Sequence, residues 1–93
     1  MDRPSARFAA NLRRLRGEAD LSQEELAFRA AVHRTQVGLL EGGQRLPRFE
    51  TLIKLAGALG VSPAALTEGI AWEPIEAVTG GLVVTEIGDA GDA

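Results

Sequence analysis

Two helix-start signals stand so close together in this chain that no single regular element can satisfy both. Leu21-Ser22-Gln23-Glu24-Glu25-Leu26 holds a capping box on Ser22 and Glu25 and a hydrophobic staple of Leu21 against Leu26, so a helix starts at Gln23. A second staple pair, Val32 and Val37, requires a new start near His33. The first of these helices therefore ends at about Ala30, and the next spans Arg34 to Glu41 before Gly42-Gly43 stops it. Leu26, Ala30, Val32, Val37 and Leu40 are the apolar positions that hold two short helices at a steep angle, and Ala27 lets them approach closely. The motif is a helix-turn-helix.

The flanking sequence supplies further helices. Phe8, Leu12 and Leu15 form one apolar stripe over Ser5 to Glu18, with Arg13 and Arg14 off it as a solvated face. After Pro47, Leu52, Leu55, Ala56 and Leu59 recur at helical spacing over Phe49 to Leu59, and Gly60 ends that run. Ser62-Pro63 provides an N-cap and a first-turn proline for a short helix to about Glu68. Five helices thus fill residues 1–69. A 93-residue chain holds one small core, since it buries only about 60% of its unfolded surface. The fold class is mainly α, a five-helix domain followed by a small β-hairpin.

That hairpin is expected within residues 70–87. Trp72 to Val78 and Leu82 to Ile87 are β-prone runs on either side of Thr79-Gly80-Gly81, and glycine tolerates the positive φ of a type I′ turn. With Gly80-Gly81 as a two-residue loop, Val78 faces Val83 and Ala77 faces Val84, with Pro74 at the outer end where a missing donor matters least. Residues 88–93 hold nothing to bury and read as a disordered tail.

Charge divides at the same place. All ten Lys and Arg lie in residues 1–69 against eight Asp and Glu, a net of +2, while residues 70–93 hold five acids and no base. A body that meets phosphates with an acidic extension facing away fits this division, and so does an ordinary mixed surface with a solubilising tail. With no cysteine and one histidine, thiolate zinc sites, disulfides and most catalytic triads are excluded. No cofactor, no metal and no enzymatic activity is expected. No apolar run reaches the ~18 residues of a membrane span and the first residues lack a signal peptide's apolar stretch, so a cytoplasmic, nucleoid-associated protein without a membrane partner is expected.

The blocks S-Q-E-E-L-A at Ser22 to Ala27, V-H-R-T-Q-V-G-L-L-E-G-G-Q-R at Val32 to Arg45, Pro47, and T-L-I-K-L-A-G-A-L-G-V-S at Thr51 to Ser62 resemble the Xre, Cro and phage-repressor class of helix-turn-helix DNA-binding domains. The resemblance covers about residues 6–68. Two positions depart from it: Ala31 stands where the family usually has glycine, and Gly38 is unusual inside a helix.

What the resemblance implies is a third helix lying in the major groove with its leading residues at base edges. Arg34, Thr35, Gly38 and Leu39 are then the base-reading candidates. The Arg34 fork matches guanine O6 and N7, Thr35 suits a base or a phosphate, and Leu39 can meet a thymine methyl. Gln23, His33, Gln36, Gln44, Arg45 and Arg48 are the phosphate candidates. His33 reads equally as a plain N-cap, and Gln36 as a helix-surface amide. Glu41 would repel phosphates, but in the family the matching glutamate pairs with an arginine of the first helix, here Arg16, which makes the two a structural ion pair.

A lone hairpin is marginal in water, so the extension needs something to pack on. Trp72, Ile75, Val78, Leu82, Val83, Val84 and Ile87 are the candidate dimerisation residues, the alternative being a hairpin folded on its own domain. The functional expectation is a homodimeric, sequence-specific double-stranded DNA-binding transcriptional regulator acting on a palindromic operator. Its rivals are the antitoxin of a toxin-antitoxin pair, whose acidic extension binds a basic protein partner, and a protein-interaction adaptor that has lost DNA binding.

Overall fold

A computed structural model describes residues 3–74 and 80–85. Among them are α1 (Pro4–Glu18), α2 (Gln23–Ala30), α3 (Arg34–Glu41), α4 (Phe49–Leu59), α5 (Pro63–Leu66) and an antiparallel pair, β1 (Ile70–Glu73) and β2 (Gly81–Val84). The architecture is thus mainly helical with a small hairpin, as the periodicity indicates. Sequence expectation and structure agree on both ends of α2, α3 and α4, whose boundaries are written in local chemistry. Ser22 Oγ accepts from the Glu25 amide at 3.0 Å while Glu25 Oε1 accepts from the Ser22 amide at 2.8 Å, completing the capping box. Gly60 ends α4 at φ 72°, a left-handed conformation that glycine adopts without strain.

The turn between α2 and α3 is left-handed although its residue is alanine. Ala31 sits at φ 57°, ψ 42°, and the Val32 amide donates back to Ala27 O at 3.0 Å, which folds Val32 onto the core. Phe8, Leu12, Leu26, Val37, Leu40, Leu55 and Leu66 are the centre of that core, all nearly inaccessible. Asn11 is buried with them, and its amide donates to Leu66 O and Glu68 O, both at 2.9 Å. These bonds satisfy carbonyls left over where α5 ends and clamp that short helix to α1. Helix α5 stops at Leu66, earlier than the expected Glu68, because the chain must turn through Gly69 at φ 85° to enter β1.

The hairpin register corrects the sequence reading. Ile70 pairs with Val84, Ala71 with Val83, Trp72 with Leu82 and Glu73 with Gly81, so Val83 and Val84 do not face Val78 and Ala77, and Gly80-Gly81 is not a two-residue loop. Register is set at the base of the hairpin: Ile70 packs on the helical core, and the Thr85 amide donates to Gly69 O at 2.7 Å. A local turn rule cannot see that anchor. Pro74 follows directly after the last paired residue of β1, where its lack of an amide hydrogen ends the ladder. The expected dimerisation residues Ile75, Val78 and Ile87 and the expected tail 88–93 lie outside the described residues.

Candidate nucleic-acid interface

The first turn of α2 and the outward face of α3 enclose an open groove of about 650 Å³ lined by Arg16, Ser22, Gln23, Glu24, Arg34, Thr35, Gly38 and Leu39. All four expected base-reading positions are therefore brought together. The geometry follows from the helix period: Val37 and Leu40 turn into the core, which leaves Thr35, Gly38 and Leu39 outward. Leu39 is half-buried, although the helix period places it on the outward face. Beside it Gly38 presents only backbone, with open space where a Cβ would stand.

Arg34, at the leading end, is exposed and bonded. Its Nη1 donates to Glu24 Oε2 at 2.6 Å across the groove, with both side chains about two-thirds exposed (68% and 71%). Nothing in the periodicity singles out Glu24, since capping needs only Ser22 and Glu25. Thr35 lies one step on, and His33 Nδ1 accepts from its amide at 3.2 Å, so the imidazole is the N-cap of α3. A ring accepting at Nδ1 carries its proton on Nε2, leaving that N–H as an outward donor. Gln36 is half-buried.

Two of the lining residues, Arg16 and Gln23, belong to a charge centre on Glu41. Arg16 Nε and Nη2 donate to Glu41 Oε2 at 2.5 Å and Oε1 at 3.0 Å, a two-pronged pair. Arg16 Nη1 also donates to Leu21 O at 2.8 Å, fixing the α1–α2 corner. Gln23 Nε2 donates to Glu41 Oε1 at 2.9 Å. Gln23, expected at a phosphate, thus spends a donor on the ion pair, and Glu24 and Glu25 in the same turn already answer the positive end of the α2 dipole. Burial pushes the Glu41 carboxyl upward, but the hydrogen bonds from Arg16 and Gln23 and the charges of Arg16 and Arg13 outweigh it and hold that carboxyl below the usual carboxylate range. Arg13 also corrects an expectation: it is not simply a solvated side chain, because its Nη1 donates to Glu41 O at 2.6 Å and closes the C-terminal end of α3. Arg14 remains on the surface, pairing with Glu18 and Glu68.

Gln44, Arg45 and Arg48 are exposed on the segment after α3, and Arg48 is the N-cap residue of α4 without a capping side-chain bond. Neither Arg45 nor Arg48 has an ion-pair partner among the described residues. Among those residues no group of His, Asp and Glu is arranged to hold a metal ion, and no helix is long and apolar enough to cross a membrane.

Two short helices in this relation, with one outward face free of core duty, constitute a helix-turn-helix unit. The helix-turn-helix family model HTH_3 matches residues 12–66. This chain belongs to the helix-turn-helix family. It is similar to the control protein C.BamHI of Bacillus amyloliquefaciens, 36% identical over 62 residues that make up 66% of this chain and 76% of that protein. It is also similar to the control protein C.SmaI of Serratia marcescens, at 45% over 61 residues, 64% of this chain and 73% of that one. The crystal structure of the restriction-modification controller protein C.AhdI from Aeromonas hydrophila matches with a TM-score of 0.65 at 42% identity, covering 67% of this chain and 94% of that one. The chain is accordingly a DNA-binding transcription regulator of the Xre type of helix-turn-helix proteins, a family of regulators and not of enzymes. The family match ends before β1, so the hairpin lies outside the matched residues.

Proposed function

We propose that this helix-turn-helix protein binds a palindromic operator as a homodimer and reads its sequence through Arg34, Thr35, Gly38 and Leu39. The observation that carries the reading is the groove itself: the outward residues of α3 stand together beside the first turn of α2, with Arg34 at the leading end. Double-stranded DNA presents its distinguishing acceptors and methyl groups in a major groove wide enough for a helix. Gln44, Arg45 and Arg48, on the segment that leaves α3, supply phosphate contacts, with the outward N–H of His33 as a further donor. Gln23 reaches a phosphate only with its remaining donor, and Gln36 lies at the side of the site.

The hairpin is the dimerisation element in this reading. Its inner end, Ile70 and Val84, lies against or near the body, while the same face continues outward as the cross-strand pair Trp72 and Leu82, exposed at 62% and 46%. Val83 is half-buried on the opposite face. A tryptophan held open on one face beside leucine gains by burial against a second copy. Two recognition helices about 34 Å apart then address half-sites one DNA turn apart. The test is sedimentation equilibrium of the full chain carrying Trp72→Glu and Leu82→Glu. The wild type is expected to be a dimer and the variant a folded monomer with weaker operator binding; a variant that remains dimeric refutes the hairpin's role.

The controller proteins among its relatives favour a more specific regulatory duty, control of restriction-modification genes. Selection of genomic fragments by the purified protein decides it, since bound fragments should then lie upstream of such a gene pair.

A further inference from the structure

Glu24 takes no part in the capping box, which Ser22 and Glu25 complete between themselves. Its carboxylate instead crosses from α2 to α3 and holds Arg34 Nη1 at 2.6 Å. We propose that Glu24 is a specificity-determining residue: it keeps the Arg34 guanidinium from engaging phosphates indiscriminately, so that a guanine edge is what recruits it. The inference rests on the base-reading role proposed above for Arg34.

Relative strengths carry the argument. An exposed ion pair such as Arg34 with Glu24 shifts an equilibrium by less than about fivefold, so it does not lock the arginine away. Guanine offers O6 and N7 to the planar fork together, and such a bidentate contact discriminates by between about fivefold and 150-fold. It therefore outcompetes the carboxylate. A single phosphate oxygen offers Arg34 little more than it already has from Glu24. Either move strands the Glu24 charge, unpaired, near the DNA backbone, with Glu25 in the same turn adding to that repulsion, and only the two-pronged guanine contact is strong enough to offset it. Contacts that miss the guanine are thus penalised while the cognate contact is retained, a repulsive element that produces discrimination. Because Glu24 is exposed and its side chain makes no core contact, replacing it leaves the fold intact.

Glu24→Gln, Arg34→Ala and the double variant of the full-length protein test this. Each is titrated against a fixed random-sequence duplex over a range of salt and profiled for base preference on a randomised operator. Loss of one opposing charge is expected to steepen the salt slope by about 0.9 and tighten binding to the random duplex about eightfold near 0.1 M salt. Glu24→Gln should also weaken guanine preference at the same base pair where Arg34→Ala abolishes it, and in the Arg34→Ala background it should leave the preference profile unchanged. If Glu24→Gln strengthens all sequences by one common factor, alters a different base pair, or fails to tighten random binding, the proposal is overturned. A wild type that selects no sequence overturns the base-reading function along with it; a selective wild type combined with a uniform Glu24→Gln effect refutes the role of Glu24 alone.

Discussion

Replacing Ala31 by glycine should stabilise this protein, and the sign follows from the backbone. At φ 57°, ψ 42° the alanine Cβ crowds its own carbonyl, a strain of about 1 to 2 kcal/mol for an L-residue. Glycine removes that strain but gives the unfolded chain more freedom, which costs about 0.4 to 1 kcal/mol. Ala31 is exposed, so the lost methyl takes no burial with it. The hydrogen bonds that define the turn, from the Ala31 and Val32 amides to Phe28 O and Ala27 O, are backbone bonds and survive. At the middle of these ranges the net gain is about 0.8 kcal/mol, which raises Tm by about 3 to 6 °C in a domain of this size. Thermal unfolding followed by circular dichroism measures it. Ala10→Gly is the control, being exposed inside α1, and should lose about 1 kcal/mol through helix propensity alone. Equal or lower Tm for Ala31→Gly, with Ala10→Gly destabilised as expected, refutes the strain argument.

Glu41→Gln leaves Arg16, whose side chain is only 23% exposed, without its partner and should destabilise the fold by about 2 to 3 kcal/mol in equilibrium denaturation. Because the folded Glu41 carboxyl titrates below its unfolded value, its contribution is complete above the ordinary carboxylate range of about 4.3 and is lost as pH falls through the lower folded value. Wild-type stability should therefore decline in that acid window, and Glu41→Gln should flatten the decline, as chemical denaturation at a series of pH values will show. Asn11→Leu strands the Leu66 and Glu68 carbonyls and should cost about 1 to 3 kcal/mol, with hydrogen exchange quickening around α5. Arg34→Ala should relax preference at one base pair per half-site by about 1 to 3 kcal/mol, whereas Arg45→Ala should weaken all sequences alike and lower the salt slope by about one unit.

What the sequence reveals and what it hides divide along the range of the interactions. The ends of α2, α3 and α4 are fixed by caps and glycines within a few residues, so the capping box at Ser22 and the stop after Glu41 can be read directly. The outward set on α3 follows from one period and two buried residues. The hairpin register cannot be read this way, because Ile70 seats in a core built by distant helices and Thr85 bonds back to Gly69. Arg13 and Asn11 escape for the same reason, as each meets its partner across the fold. Glu24 escapes because a carboxylate in a first turn is ordinary helix chemistry until its neighbour across the groove is known.

The same division explains why the proposed recognition surface sits where it does. An eight-residue helix is unstable alone, and Gly38 weakens it further by up to about 1 kcal/mol. Helix α3 must therefore be held from outside, and each holding contact occupies a definite position: His33 at its start, Val37 and Leu40 in the core, and Glu41 at its end, tied to α1 by Arg16 and Arg13 and to α2 by Gln23. These contacts set the helix ends and its inner face but ask little of Thr35, Gly38 and Leu39. Those positions are the ones turned outward beside Arg34. In the reading proposed above, affinity for DNA thus depends on Glu41 indirectly, through the angle at which α3 is presented, whereas preference among sequences depends on the outward residues that the core does not use.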